Sequence, residues 1–105
     1  MELVSGSWAG YYVQGGRRYP QELTLEFADG LMRGDGRDGI GTFTVDGEYR
    51  ADDRGVRVGW IKTYDGGHSV LYLGTLADDQ ITGTWDLGGP TGTFALGSPR
   101  KGALE

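Results

Sequence analysis

Short runs of alternating apolar and polar residues, broken by glycine- and aspartate-rich turns, repeat from one end of this chain to the other. Alternation sends successive side chains to opposite faces of a strand, so each run reads as a half-buried β-strand. The turn signals recur roughly every 8–12 residues, the spacing of an all-β sandwich or barrel. No helical period holds for more than a few residues. Eight strands are expected, over residues 7–14, 21–28, 31–34, 41–50, 56–64, 69–76, 80–87 and 92–96.

The same alternation assigns the faces. Leu23, Leu25 and Phe27 share one face with Phe43, Val45, Val56, Val58, Trp60, Val70, Tyr72, Leu76, Ile81, Trp85 and Leu87. Thr24, Glu26, Thr42, Thr44, Arg57, Thr63, Thr82 and Thr84 take the other. Consecutive short hairpins favour a meander, and closing the sheet removes its exposed edges. The expected fold is therefore one all-β domain over residues 1–105, a single eight-stranded antiparallel up-and-down meander barrel. A two-sheet sandwich is the alternative. Gly10, Gly74 and Gly83 fall in the apolar phase and are expected to make room for Trp8, Trp60 and Trp85, as small barrels alternate small and large side chains.

In a meander, alternate turns lie at opposite ends. One end collects residues 15–19, 35–39, 65–67 and 88–91, the longer and more glycine-rich connections. We expect it to be an open mouth. The other end holds tight aspartate turns and both termini, and reads as a closed floor.

Composition excludes several classes. The net charge is −5, and binding a nucleic acid needs a basic stripe that this chain lacks. No stretch approaches the ~18 apolar residues of a membrane span. There are no cysteines, so neither disulfide nor thiolate chemistry is expected. No secretory signal is evident, and a cytoplasmic protein is expected. The closing Leu104-Glu105 reads as a cloning scar.

Gly6-Ser7-Trp8 resembles the Gly-x-Trp that opens the first strand of calycins, the group of lipocalins, fatty-acid-binding proteins and avidins. The eight-stranded meander is similar too. Arg100 follows the last strand, where that group packs a cation on the first-strand tryptophan. The resemblance implies a calycin-like barrel with an open-ended pocket and a Trp8–Arg100 cation–π contact, worth ~0.5–2 kcal/mol. It carries over no site residues. The chain departs from lipocalins in its shortness and lack of cysteine, and from fatty-acid-binding proteins in having no helical lid.

Several residues carry candidate chemistry. Asp35 and Asp38 on the glycine-rich stretch 34–39 offer oxygen ligands, but capping of turn N–H groups accounts for them more simply. His68 is the only histidine. It can act as an acid–base group or a haem ligand, though it also fits an exposed polar turn. Lys62 and Tyr64 share the inward phase of Val56, Val58 and Trp60. An inward lysine near the mouth pairs with a ligand carboxylate, or packs its stem inside while its ammonium reaches water. Trp60, Tyr72, Trp85 and Tyr12 line or fill the upper interior. Arg17-Arg18-Tyr19 belongs to the first mouth loop, as an anion-capturing rim or as plain solvated loop.

Three readings follow. The leading one is non-catalytic binding of a small apolar or aromatic ligand, with Trp60, Tyr72 and Trp85 as the wall and Lys62, Tyr64 and His68 as the polar rim. The second is a filled barrel serving as a structural or protein-interaction module, self-associating through the outward residues Tyr11, Val13, Leu71 and Leu73. The third is an enzyme using His68, Lys62 and Asp38 as acid–base groups. No nucleophile elbow or phosphate-cradling loop is found. No catalytic set, metal, cofactor, nucleic-acid or membrane partner is expected.

Overall fold

The structure, a computed structural model, describes residues 3–102; Leu104-Glu105 lies outside them. Eight strands run in order: β1 (Gly6–Gln14), β2 (Arg17–Ala28), β3 (Leu31–Asp38), β4 (Thr42–Asp52), β5 (Gly55–Tyr64), β6 (Ser69–Ala77), β7 (Gln80–Asp86) and β8 (Thr91–Gly97). Each pairs antiparallel with the next. β8 returns to pair with β1 and closes an up-and-down barrel. The described residues contain no helix.

Period-two alternation explains the wall. In β5, Val56, Val58, Trp60, Lys62 and Tyr64 point inward and are buried. In β2, Gln21, Leu23 and Leu25 do the same. The core runs the full length of the barrel, from Trp8, Met32, Ile81 and Leu96 near the floor to Tyr12, Phe43 and Tyr64 near the opposite end.

Residues at the chain ends seal the floor. The indole N–H of Trp8 donates to the Val4 carbonyl at 2.8 Å, and Phe27 meets the indole edge-on. Tyr49 packs edge-on against Phe27 in turn. After β8, the buried Ser98 donates its N–H to the Asp79 carbonyl at 2.9 Å, tying the final turn to the β6–β7 hairpin. Arg100 lies exposed on that turn.

The two largest extensions beyond the expected strands, four residues each, both fall at the expected mouth. Gly15 and Gly16 both adopt left-handed φ angles, 58° and 78°. That is the two-residue turn whose twist matches a hairpin, so Arg17, Arg18 and Tyr19 belong to β2 and not to a loop. β3 likewise continues through Gly34, Asp35, Gly36 and Arg37 to Asp38. Asp35 and Asp38 therefore fall in opposite phases of a strand, with Asp35 exposed and Asp38 turned inward. They do not form a shared loop. The remaining connections at that end are Gly39–Gly41, Asp65–His68 and Leu87–Pro90. Leu87 is the one residue of the expected inner face that leaves it: β7 stops at Asp86, and Leu87 is exposed on the turn.

Inward glycines make room, but not for the partners expected. A methyl on Gly83 would lie 1.9 Å from the Leu73 carbonyl oxygen, so its absence lets two strands approach. The bulk of Trp60 is accommodated at Gly47, where an added Cβ would sit 2.5 Å from the Cβ of Trp60.

Candidate functional site

Beneath the turns of the expected mouth, four strands deliver polar side chains into the barrel. β5 supplies Lys62 and Tyr64, β3 supplies Asp38, β2 supplies Gln21 and β6 supplies Tyr72. The Lys62 ammonium donates to Asp38 Oδ2 at 2.6 Å and to Gln21 Oε1 at 3.0 Å. The Tyr72 hydroxyl stands 3.5 Å away. Tyr64 donates its hydroxyl proton to the same Asp38 Oδ2 at 2.5 Å. The other carboxylate oxygen, Oδ1, accepts from the backbone N–H groups of Ile40 and Gly41, at 2.8 and 3.3 Å. Asp38 thus joins the β3–β4 turn to the interior.

Four rings surround the ammonium. Its nitrogen lies 4.2 Å from the ring centre of Phe43, 4.9 Å from Tyr12, 5.0 Å from Tyr64 and 5.4 Å from Tyr72. This is the geometry of a cation–π cage, filled by the protein's own side chain. The side chains of Lys62 and Asp38 are 1% and 0% exposed. Lys62 therefore does not snorkel: its charge finds a carboxylate inside the barrel and has no need of water.

The ionisation states follow. Burial pushes the Asp38 carboxyl up, but hydrogen bonds from Lys62, Tyr64 and the Ile40 N–H outweigh it and hold the carboxyl below its ordinary value. Burial lowers Lys62, with Asp38 partly restoring it. Tyr64 is raised far above the ordinary phenol value by burial and then by the Asp38 charge, which its proton bridges. Tyr72 is raised mainly by burial, and Tyr12 by burial and Asp38. At neutral pH the group is an ion pair between neutral phenols. Taking two charges out of water costs several kcal/mol each, and only such complete satisfaction offsets that.

The expected aromatic wall is present as mutual packing. Trp60 and Tyr72 stack with ring centres 5.0 Å apart, and Phe94 meets both edge-on, at 5.3 and 4.9 Å. Trp85 donates its indole N–H to the Val13 carbonyl at 3.0 Å and meets Tyr12 edge-on. Tyr12 stacks on Tyr19. Among the described residues, two buried side-chain polar atoms stay without a partner, Gln21 Nε2 and Trp60 Nε1.

Of the six residues singled out in the sequence, five enter the interior: Trp60, Lys62, Tyr64, Tyr72 and Trp85. His68 does not; it stays exposed on its loop, its ring 5.0 Å from that of Tyr64. The structure brings Lys62 and Asp38 together and leaves His68 outside the pair. Gln21 and Phe43 escaped notice as members of the cluster. Gln21 was legible: it is a polar residue in the inward phase of Leu23 and Leu25. Among the described residues, no group of three or more His, Cys, Asp or Glu side chains gathers to hold a metal.

The outer wall carries the opposite kind of feature. Ile61, Leu71 and Leu73 are 43%, 38% and 52% exposed. They are cross-strand neighbours on β5 and β6, with Ile61 opposite Leu71 and Gly59 opposite Leu73. Tyr11 and Val13 lie apart from them on β1, beyond β7 and β8, and the Arg18 guanidinium covers the Tyr11 ring at 4.3 Å.

Comparison with family models, with curated proteins and with solved structures returned no match for this chain.

Proposed function

We propose that this barrel is a non-catalytic protein-interaction module, calycin-like in its wall and filled in its interior. One observation carries the reading. The space that a calycin would offer to a ligand is taken by Trp60, Tyr72 and Phe94 in mutual ring contact and by Lys62 over the Tyr72 ring, while apolar side chains stand in water on the outside of β5 and β6. Clustered apolar exposure of this kind marks contact surfaces. Acid–base catalysis is less well supported, because the ion pair has no exposed face to offer a substrate.

A second reading, small-ligand binding at the mouth, draws support from Gln21. Its amide nitrogen is buried without a partner next to Lys62, and such a donor suits a carboxylate or carbonyl ligand that enters under the β3–β4 turn.

Melting temperature measured against a panel of fatty acids, aromatic carboxylates, biotin-like vitamins and haem separates the two. A ligand at a hundred times its Kd adds about 2.7 kcal/mol, which is roughly 4–8 °C per kcal/mol in a domain of this size. The module reading expects a flat panel. A shift of that size, lost in Trp85→Ala or Lys62→Met, overturns it in favour of the mouth.

A further inference from the structure

Five aspartates of this chain are followed directly by glycine: Asp29, Asp35, Asp38, Asp46 and Asp65. Such a step carries a latent reaction, attack of the glycine nitrogen on the carboxyl carbon of the aspartate side chain. No Cβ on the glycine shields the nitrogen. The peptide group between the two residues must first turn over to bring nitrogen and carboxyl together, and glycine accepts the resulting change in φ. The fold decides which of the five steps is free to turn.

Four are held. Asp35 and Asp46 lie within β3 and β4, in register with a neighbour on each side: Thr24 and Thr44 for Asp35, Arg33 and Ile61 for Asp46. Turning their peptide groups breaks those ladders. Asp38 has both oxygens engaged, one by Lys62 and Tyr64 and the other by the Ile40 and Gly41 N–H groups. Asp29 and Gly30 are the central pair of a tight hairpin turn, with the strands paired right up to Ala28 and Leu31. Both have left-handed φ angles, 54° and 79°, and the Gly30 carbonyl is held by the Tyr49 N–H at 2.9 Å.

Asp65 is held from one side only. It belongs to the β5–β6 connection, residues 65–68, all of them exposed. Its own N–H donates to the Thr42 carbonyl at 3.0 Å, and one carboxylate oxygen accepts from the Thr42 hydroxyl. Beyond it the chain is loose. A Cβ on Gly66 would meet nothing within 4 Å. Among the described residues, no acceptor takes the Gly66 N–H.

We infer that Asp65 is a modification site, the Asp-Gly step at which this protein converts to isoaspartate. The Gly66 nitrogen bonds to Cγ of Asp65. Its proton and one from solvent leave with a carboxylate oxygen as water, and a succinimide ring closes. Water then adds to one ring carbonyl, and the solvent proton is returned. Opening between Cγ and nitrogen restores aspartate. Opening on the other side leaves the backbone running through Cβ and Cγ. Nothing is oxidised or reduced. The product keeps its charge, but its carboxylate now sits directly on Cα, too short for the Thr42 hydroxyl. The added backbone atom also displaces the Gly67 N–H from the Tyr64 carbonyl. The turn thereby loosens from β4 beside Tyr64, which holds Asp38. Such a carboxylate is the substrate of enzymes that methylate isoaspartyl residues.

Ageing the folded protein at neutral pH tests the inference. Tryptic peptides are mapped by electron-transfer fragmentation, which tells the two isomers apart at each position. Isoaspartate is expected to form at residue 65 about tenfold faster than at residues 29, 35, 38 or 46, a barrier difference of about 1.4 kcal/mol. In urea, where the fold selects nothing, the five steps are expected to react at similar rates. Labelling by an isoaspartyl methyltransferase with radiolabelled S-adenosylmethionine is expected to be largely lost in Asp65→Glu, whose longer side chain closes a less favoured ring, and kept in Asp29→Glu. Faster conversion at any of the other four steps in the folded protein overturns the inference. So does a folded protein that forms no isoaspartate while the unfolded chain accumulates it, or Asp65→Glu that is labelled like wild type. A preference for residue 65 that persists in urea belongs to the sequence and overturns the role given to the fold.

Discussion

Lys62 and Asp38 are 24 residues apart in the chain and 2.6 Å apart inside the barrel. Neither charge reaches water, and each satisfies the other together with Tyr64 and Gln21. The pair anchors the β3–β4 turn to the core through the second oxygen of Asp38.

Removing one partner should cost far more than removing both. Lys62→Met strands a buried carboxylate, and a broken buried pair costs about 3–5 kcal/mol. Asp38→Asn strands the ammonium while keeping an oxygen for the turn. The double variant should lose much less than the sum of the two. Urea denaturation of the four proteins gives the coupling; additivity within about 0.5 kcal/mol would show that the charges do not depend on each other.

Stability should fall at both extremes of pH. The Asp38 carboxyl titrates lower folded than unfolded, so its contribution is complete above the unfolded value, near 3.9. It is lost as pH drops through the folded value. Tyr12, Tyr64 and Tyr72 titrate higher folded than unfolded. Their contribution is complete below about pH 10 and is lost as pH rises beyond it. Lys62, lowered by burial, acts in the opposite sense below about 10.4 and softens the alkaline limb. Melting curves from pH 2 to 12 should show an acid limb that Asp38→Asn flattens. Phenolate absorbance from the three inner tyrosines should appear only with unfolding.

Two glycine substitutions should separate inside from outside. Gly83→Ala drives a methyl onto the Leu73 carbonyl and should cost about 3 kcal/mol or more, the upper range for overpacking. Gly59→Ala displaces only the tip of a flexible leucine. It should be neutral or gain up to about 1 kcal/mol from the better strand former. Denaturant midpoints decide the matter, and equal losses at the two sites would contradict the packing described.

The tryptophans should differ in their tolerance of phenylalanine. Trp85 gives its N–H to the Val13 carbonyl, whereas the Trp60 N–H is buried with no partner. Both changes remove similar volume. Trp85→Phe should cost about 1 kcal/mol more than Trp60→Phe, the net worth of a hydrogen bond. The reverse order in thermal or chemical unfolding would mean that the Trp60 N–H is satisfied in solution.

The wall was readable because alternation survives wherever side chains mark it. Val56, Val58, Trp60, Lys62 and Tyr64 show their phase plainly, and the structure turns all five inward. β3 was cut short because Gly34 and Gly36 occupy its inward positions. A glycine carries no polarity by which to show its phase. Extending the phase of Met32 by two residues at a time reaches Asp38, an inward carboxylate. The five residues 15–19 read as loop, although two left-handed glycines complete the turn alone. What spacing could not supply was the meeting of β2, β3 and β5 around one nitrogen, since it depends on closure of the whole sheet.

The ring cage of Tyr12, Phe43, Tyr64 and Tyr72 has a further consequence. Its occupant is attached to its wall. Even a short flexible tether gives a roughly millimolar effective concentration, and Lys62 is held by folded backbone besides. A free amine or quaternary ammonium therefore competes against a guest that never diffuses away. The cage becomes receptive to outside cations only in a chain whose side chain at position 62 is too short to fill it.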